Sequence, residues 1–148
     1  MTFKTLYTMF KVPAQPTVTS IALLVLRLIT GSAFILHGWG KIQSPASWVP
    51  PDGPVSLSPI LQVLAAVSEF GGGIFWIVGL LTPLASLGIG ITMAVAVYFH
   101  SVIFKDPFVN MTGGGAFELP LVYFGIALLL LIAGPGKFSL DHQFFGKK

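Results

Sequence analysis

Three polar side chains in an otherwise apolar sequence could handle protons: His37, His100 and Glu118. Histidine can gain or lose a proton near neutral pH, and a carboxylate can accept or return one. In the simpler interpretation, the dipole of a helix N-terminus stabilises Glu118 and water satisfies the histidines. A metal site of two histidines and one carboxylate is disfavoured, because the three residues are far apart in sequence and lack the local spacing of metal ligands.

Arg27 and Glu69 are the outstanding charges within long apolar stretches. An ionisable group at the centre of a membrane helix costs roughly 2.5 to 3.5 kcal/mol on insertion scales, so such groups are usually paired or functional. At about 1.5 Å rise per residue, both Cα atoms fall close to the middle of their stretches. The sequence therefore predicts an Arg27–Glu69 ion pair, which serves as a structural bridge, a proton relay or a site of headgroup recognition.

The composition indicates whether the helices that carry these groups lie in water or in a membrane. The chain of 148 residues is 54% hydrophobic and 9% charged, with a mean hydropathy of +0.87. These values are far from globular averages and indicate a membrane protein. The chain has no Cys, which excludes disulfides and thiol redox chemistry by its own residues. Its scattered basic residues argue against nucleic acid as a partner.

Proline and glycine residues mark the ends of four predicted membrane helices. Ser58-Pro59 and Thr82-Pro83 each pair a capping residue with proline at the first helical position. A glycine-containing segment, Gly134-Pro135-Gly136, ends the last helix. Each apolar stretch is close to the ~20 residues that cross a bilayer. We therefore expect an all-α bundle of four transmembrane helices at residues 20–41, 59–81, 83–104 and 117–133.

Lysine positions predict the orientation of this bundle. Five lysines lie before the first or after the fourth span, whereas Lys41 and Lys105 lie in the connections on the opposite side. By the positive-inside rule, residues 1–19 and 135–148 are cytoplasmic segments and residues 20–134 form the membrane domain. In this arrangement His37, His100 and Glu118 lie in the outer third of three different spans and could converge. The five lysines are Lys4, Lys11, Lys137, Lys147 and Lys148.

Small residues share the helix faces that carry the two charges. Gly31 follows Arg27 by one helical turn, and Gly72 follows Glu69 at the same kind of spacing. Small residues let membrane helices approach closely, which is the simpler interpretation. Alternatively, the missing side chains leave a slot for a flat ring.

The motifs in these spans resemble those of the DoxX family of small bacterial membrane proteins. The resemblance covers residues 20–142 and depends on the order and spacing of short motifs: Arg27-Leu-Ile-Thr-Gly31, His37-Gly-Trp-Gly-Lys41, Glu69-Phe-Gly-Gly-Gly73, Gly79-Leu-Leu-Thr-Pro83, Met93 to His100, Glu118-Leu-Pro-Leu121 and Ser139-Leu-Asp141. It implies a four-span bundle in the bacterial inner membrane and similarity to a subunit of thiosulfate:quinone oxidoreductase. The proline-rich connection, residues 45–59, is longer than the family pattern implies.

Two functions remain open from the sequence. The first is a quinone-interacting subunit of a membrane redox system, with Arg27, Glu69, Gly31 and Gly72 around the quinone and His37, His100 and Glu118 handling hydrogen bonds and protons. In this case quinone is the expected ligand, without intrinsic metal or flavin, and other membrane subunits are the expected partners. The second is a non-enzymatic scaffold or assembly subunit. A transporter is disfavoured, since four short spans show no inverted repeat of broken helices.

Overall fold

The structure, a computed structural model, describes Phe10 and residues 12–146. Within this range the chain is helical and contains no strand. Four helices form a bundle and a short fifth helix follows: α1 (Thr17–Gln43), α2 (Pro59–Val78), α3 (Thr82–Tyr98, continued by a π-helical turn at Phe99–Ile103), α4 (Glu118–Ala133) and α5 (Leu140–Phe145). We call the end with the 44–58 and 104–117 connections the loop end, and the opposite end, with α5, the tail end.

Length and composition fit three of these helices to a bilayer. α1 has 27 residues, α2 has 20, and α3 with its π-helical turn has 22, all with strongly apolar windows. α4 is apolar but shorter, at 16 residues. The all-helical class and three candidate membrane spans are thus established, and α4 is a fourth apolar helix beside them.

Glycines set the close packing of α1 against α2. A Cβ built on Gly31 would lie 2.7 Å from the carbonyl oxygen of Gly73, and one built on Gly38 would lie 2.6 Å from the backbone nitrogen of Phe70. Distances this short admit no larger residue without moving the helices apart. The glycine stripe therefore serves helix packing, as in other membrane bundles.

The buried core lies between these helices and is mainly aromatic and aliphatic. Trp76 of α2 is fully buried and donates from Nε1 to Ser86 Oγ of α3 at 3.0 Å. Phe34 of α1 packs edge-on against the Trp76 ring, with centroids 5.5 Å apart. Ile89 and Leu130 complete this layer. This buried hydrogen bond satisfies the indole N–H, so the burial of Trp76 leaves no unpaired donor at that position.

The observed helix ends differ from the predicted ones by a few residues, for local reasons. α2 ends at Val78 rather than at residue 81, because Gly79 adopts a left-handed conformation with φ of 66°. Ser58 occupies the position before α2 but its side chain makes no capping bond. Thr82 does not cap α3 either: the residue at that position is Leu81, with φ of 49°. The regular part of α3 gives way to the π-helical turn at Phe99.

A short helix in the predicted tail was not expected from the sequence. Ser139 caps α5 by accepting a hydrogen bond from the His142 backbone N–H at 3.1 Å. Asp141 in its first turn is completely buried. The segment after α4 is therefore packed into the tail end of the bundle. Four of the five lysines behind the orientation prediction, namely Lys4, Lys11, Lys147 and Lys148, lie outside the described residues.

Candidate functional site

Glu69 is buried near the middle of α2 and is paired with Lys41, not with Arg27. Nζ of Lys41, from the last turn of α1, donates to Oε1 and Oε2 of Glu69, each at 2.7 Å. The predicted Arg27–Glu69 ion pair is wrong. Gly31 meets Gly73, and Arg27 lies four residues to the tail side of this contact while Glu69 lies four residues to the loop side. The two charges are therefore separated by about 12 Å along the bundle.

Arg27 instead belongs to a polar cluster at the tail end. Its guanidinium is fully buried and donates from Nη2 to the carbonyl oxygen of Phe138 at 2.7 Å. The carboxylate of Asp141 provides the neighbouring negative charge. That carboxylate also accepts hydrogen bonds from the backbone N–H groups of Leu81 at 2.7 Å and Thr82 at 2.8 Å. This cluster fastens the 138–141 segment to α1 and to the start of α3.

Lys41 lies between Glu69 and the first connection. The Trp48 ring covers Nζ of Lys41, with 4.6 Å between the nitrogen and the ring centroid. Trp48 is held by its own Nε1, which donates to the carbonyl oxygen of Gln62 at 2.9 Å. The Gln62 side chain accepts from Val49 N–H and donates to the Leu57 carbonyl oxygen, each at 2.9 Å. The proline-rich connection is thus an ordered cover over the ion pair.

A cavity of about 150 Å³ lies in the loop-end half of the bundle, and we call it the loop-end cavity. All four long helices contribute to its wall. Its polar groups come from His37, Lys41, Glu69 and Tyr123. The remaining wall is apolar: Phe34, Met93, Ala96, Leu119 and Pro120. The cavity therefore combines an apolar space with a small group of hydrogen-bonding side chains, as ligand pockets commonly do.

Aromatic contacts join α1 to α4 across this cavity. The Tyr123 ring of α4 lies 4.9 Å from the Phe34 ring and 6.4 Å from the His37 ring, centroid to centroid. The closest helix packing occurs elsewhere, between α1 and α2, α3 and α4, and α2 and α3. α1 and α4 are therefore joined by side-chain contacts, and their backbones do not approach each other as closely as those of the other three helix pairs.

The predicted trio of His37, His100 and Glu118 does not assemble around this cavity. Of the three, only His37 lines it. His100 lies in the π-helical turn, where its Nδ1 is 2.6 Å from Oδ2 of Asp106. Glu118 is exposed at the first residue of α4. The proton-handling roles of these residues stay predictions, and the geometry associates only His37 with Glu69.

Gly31 and Gly72 have neighbours that explain their size. Gly31 packs against Gly73 and Ile77, and a Cβ on Gly72 would lie 3.0 Å from Cδ1 of Ile89. Both contacts are between helices. Their predicted role around a ring stays untested, while close packing accounts for both positions.

Three site residues were missed from the sequence. Lys41 was counted as a loop charge and as part of a motif, and neither Tyr123 nor Gln62 was assigned a role. A lysine in the last turn of a helix could have been recognised, because its flexible stem can reach back along the bundle. Among the described residues, no group of three His, Asp or Glu side chains is placed to hold a metal ion.

Comparison with known proteins agrees with the motif resemblance. The DoxX family model matches residues 22–102. Inner membrane protein YqjF of Escherichia coli (strain K12) is 33% identical over 122 residues, which cover 82% of this chain and 90% of that protein. The Bacillus subtilis (strain 168) protein named "Putative oxidoreductase CatD" is 31% identical over 129 residues, covering 86% and 91%. No solved structure matches the chain. The matches and the apolar helices identify a multi-pass protein of the bacterial inner membrane.

Proposed function

The chain belongs to the DoxX family, and from that membership we propose that it is a quinone-interacting subunit of a membrane redox system. The loop-end cavity is the observation that carries this proposal. The name of the Bacillus subtilis relative, which describes an oxidoreductase, supports the same class of function.

The size and wall of the loop-end cavity suit a single ring. Its volume is about 150 Å³, and a cavity of ~150 Å³ in another protein accepts benzene. Phe34 and Tyr123 offer ring faces and Met93 a polarizable side chain. A quinone head is built on one six-membered ring, so its ring is of a size that this volume can hold.

The polar groups suit the two carbonyl oxygens of a quinone. Lys41 and Tyr123 carry donors, and His37 can donate or accept. A quinone takes up two electrons and two protons when it becomes a hydroquinone. His37 lines the cavity, and histidine is a side chain that can transfer protons. Because the chain has no Cys, the electrons in this proposal come from a redox partner subunit.

We propose the same topology that the lysines predict. All four helices α1 to α4 cross the membrane, and the residues before α1 and after α4 lie on the cytoplasmic side. In this topology the loop-end cavity lies in the outer half of the bilayer.

A non-enzymatic scaffold is the second candidate function. An apolar groove of about 570 Å³ runs along α2 and α3. Its wall includes Leu61, Leu64, Phe75, Leu84 and Ile91. Such a surface suits the helix of another membrane subunit, so an assembly role would use this groove instead of the loop-end cavity.

A cavity-filling variant separates the two candidates. In Ala96→Leu the added side chain occupies the loop-end cavity, whereas Ala94→Leu makes the same change at an exposed position on the same helix. Quinone retained after purification in mild detergent is extracted and quantified, and co-purified proteins are identified by mass spectrometry. We expect Ala96→Leu to lose most of the quinone and Ala94→Leu to keep it. A stable partner without quinone in the wild type would favour the scaffold. Equal quinone in both variants would contradict the loop-end cavity as the quinone site.

A further inference from the structure

The connection between α3 and α4 presents apolar side chains that the bundle does not cover. Phe108, Val109 and Met111 are 52%, 41% and 90% exposed. We call residues 108–111 the apolar loop segment. The connection between α1 and α2 differs, because Gln62 and Trp48 fold it onto the bundle.

The position of the apolar loop segment along the bundle axis follows from the packing of α3 against α4. A Cβ on Gly90 would lie 3.6 Å from Cβ of Ala127, so these two residues face each other. From Gly90, α3 and its π-helical turn extend thirteen residues toward the loop end, to Ile103. From Ala127, α4 extends only nine residues in the same direction, to Glu118. At about 1.5 Å per residue, α3 extends about 6 Å further toward the loop end than α4.

Hydrogen bonds hold Phe108, the first residue of the apolar loop segment, at the level where α4 begins, which is the lower of these two levels. The Glu118 N–H donates to the Phe108 carbonyl oxygen at 3.0 Å, and the Phe117 N–H donates to that of Pro107 at 3.3 Å. The Phe108 and Phe117 rings are also in contact, with centroids 5.4 Å apart. Phe108 therefore lies beside the first turn of α4, below the end of α3.

The thickness of the bilayer indicates whether the apolar loop segment lies among acyl chains, among headgroups or in water. The 22 residues of α3 with its π-helical turn span about 33 Å, close to the ~30 Å hydrocarbon core. A segment about 6 Å below the end of α3 lies at the boundary between headgroups and acyl chains, the depth that apolar faces of interfacial segments occupy. Irregular backbone needs water or partners, so the segment cannot lie deeper.

We propose that Phe108, Val109 and Met111 form a lipid-docking surface that inserts at the headgroup and acyl-chain boundary of the leaflet at the loop end. Lys105, exposed at the end of α3, lies on the headgroup side of this surface. The occupant is bilayer lipid, because the depth is that of lipid and the side chains are apolar. The inference rests on bilayer contact and is independent of the quinone proposal.

Spin labels on single cysteines test the proposal in a chain that has no other Cys. Full-length Val109→Cys and Met111→Cys are labelled and reconstituted into vesicles of phosphatidylethanolamine and phosphatidylglycerol. Ile91→Cys, on a lipid-facing position of α3, is the hydrocarbon control, and Asp52→Cys, in the other connection, is the water control. Collision rates with oxygen and with a water-soluble nickel chelate are measured for each label.

We expect the ratio of oxygen to nickel-chelate collision rates at 109 and 111 to lie between the high ratio at 91 and the low ratio at 52, because the boundary lies between hydrocarbon and water. Collision behaviour like that at 52 overturns the proposal in favour of a water-exposed loop. Protection from both reagents overturns it in favour of a protein contact.

Discussion

The two partners of the Lys41–Glu69 ion pair are buried to different extents. The side chain of Glu69 is 3% exposed and that of Lys41 is 27% exposed. A lysine that loses its partner can turn its flexible side chain toward water. A carboxylate in the middle of α2 has no such escape, so it depends on Lys41 more than Lys41 depends on it.

Substitutions at this pair should therefore have unequal effects. We expect Lys41→Met to lower the free energy of unfolding by about 3 kcal/mol, because it leaves a buried carboxylate unpaired. Glu69→Gln should cost less, about 1 kcal/mol, because the amide oxygen still accepts a hydrogen bond. The double variant should be less damaging than the sum of the two. Thermal unfolding in one detergent measures this, and equal, additive effects would contradict the pairing.

Pairing of individual side chains was the part of the site least accessible from sequence. Depth alone placed Arg27 beside Glu69, but the Gly31–Gly73 contact sets a helix register that moves them apart. Lys41 reaches Glu69 across a large sequence distance by extending along the bundle. Register and side-chain reach are tertiary properties, so a linear count of residues cannot supply them.

At the scale of elements, the start of α3 depends on a residue from α5. Leu81 has a positive φ of 49°, which costs a non-glycine residue about 1 to 2 kcal/mol. Asp141 offsets this by accepting from the Leu81 and Thr82 N–H groups. A carboxylate at a helix N-terminus also interacts favourably with the helix dipole. The short helix α5 therefore determines how tightly α2 can turn into α3.

Removal of the Asp141 carboxylate should loosen this turn. We expect Asp141→Ala to lower the free energy of unfolding by about 3 kcal/mol, since two N–H groups lose their acceptor and buried Arg27 loses its neighbouring negative charge. Asp141→Asn, which keeps one acceptor oxygen, should cost about half as much. Gln143→Ala, at an exposed position of the same helix, is the control and should change stability by less than about 0.5 kcal/mol. A thermal midpoint for Asp141→Ala equal to that of the control would refute the capping role.

Helix ends could be predicted from the sequence where a single proline or glycine determines them. Pro59 begins α2 and Gly134 follows the end of α4, because proline and glycine act on the backbone where they occur. Helix α5 and the π-helical turn were missed. The contact of Asp141 with Leu81 forms only when separate segments meet. The contact of His100 with Asp106 beside the π-helical turn spans only six residues, and it was not recognised from the sequence.

At the scale of the whole molecule, the two ends of the bundle differ in their polar groups. The tail end contains Arg27 and Asp141 in a filled cluster, whereas the loop end contains Lys41 and Glu69 beside a cavity. A polar cluster that joins chain segments thus lies at one end of the bundle, and the proposed ligand site lies at the other. The membrane side of each end then determines from where the proposed ligand can approach.

Cysteine labelling determines that orientation. Gly53 lies in the connection at the loop end and Lys137 is exposed at the tail end. With an impermeant thiol reagent on intact cells, we expect Gly53→Cys to be labelled and Lys137→Cys to be labelled only after the membrane is opened, because the lysine distribution favours a cytoplasmic tail end. The reverse pattern would invert the topology.

The cap on α3 also constrains how the protein is made. Asp141 is 59 residues after Thr82 in the chain, so the ribosome synthesises all of α3 and α4 before the carboxylate that completes the first turn of α3 exists. Until α5 is made, the N–H groups of Leu81 and Thr82 lack this acceptor. The turn between α2 and α3 is therefore completed only after the whole of α4 has been synthesised.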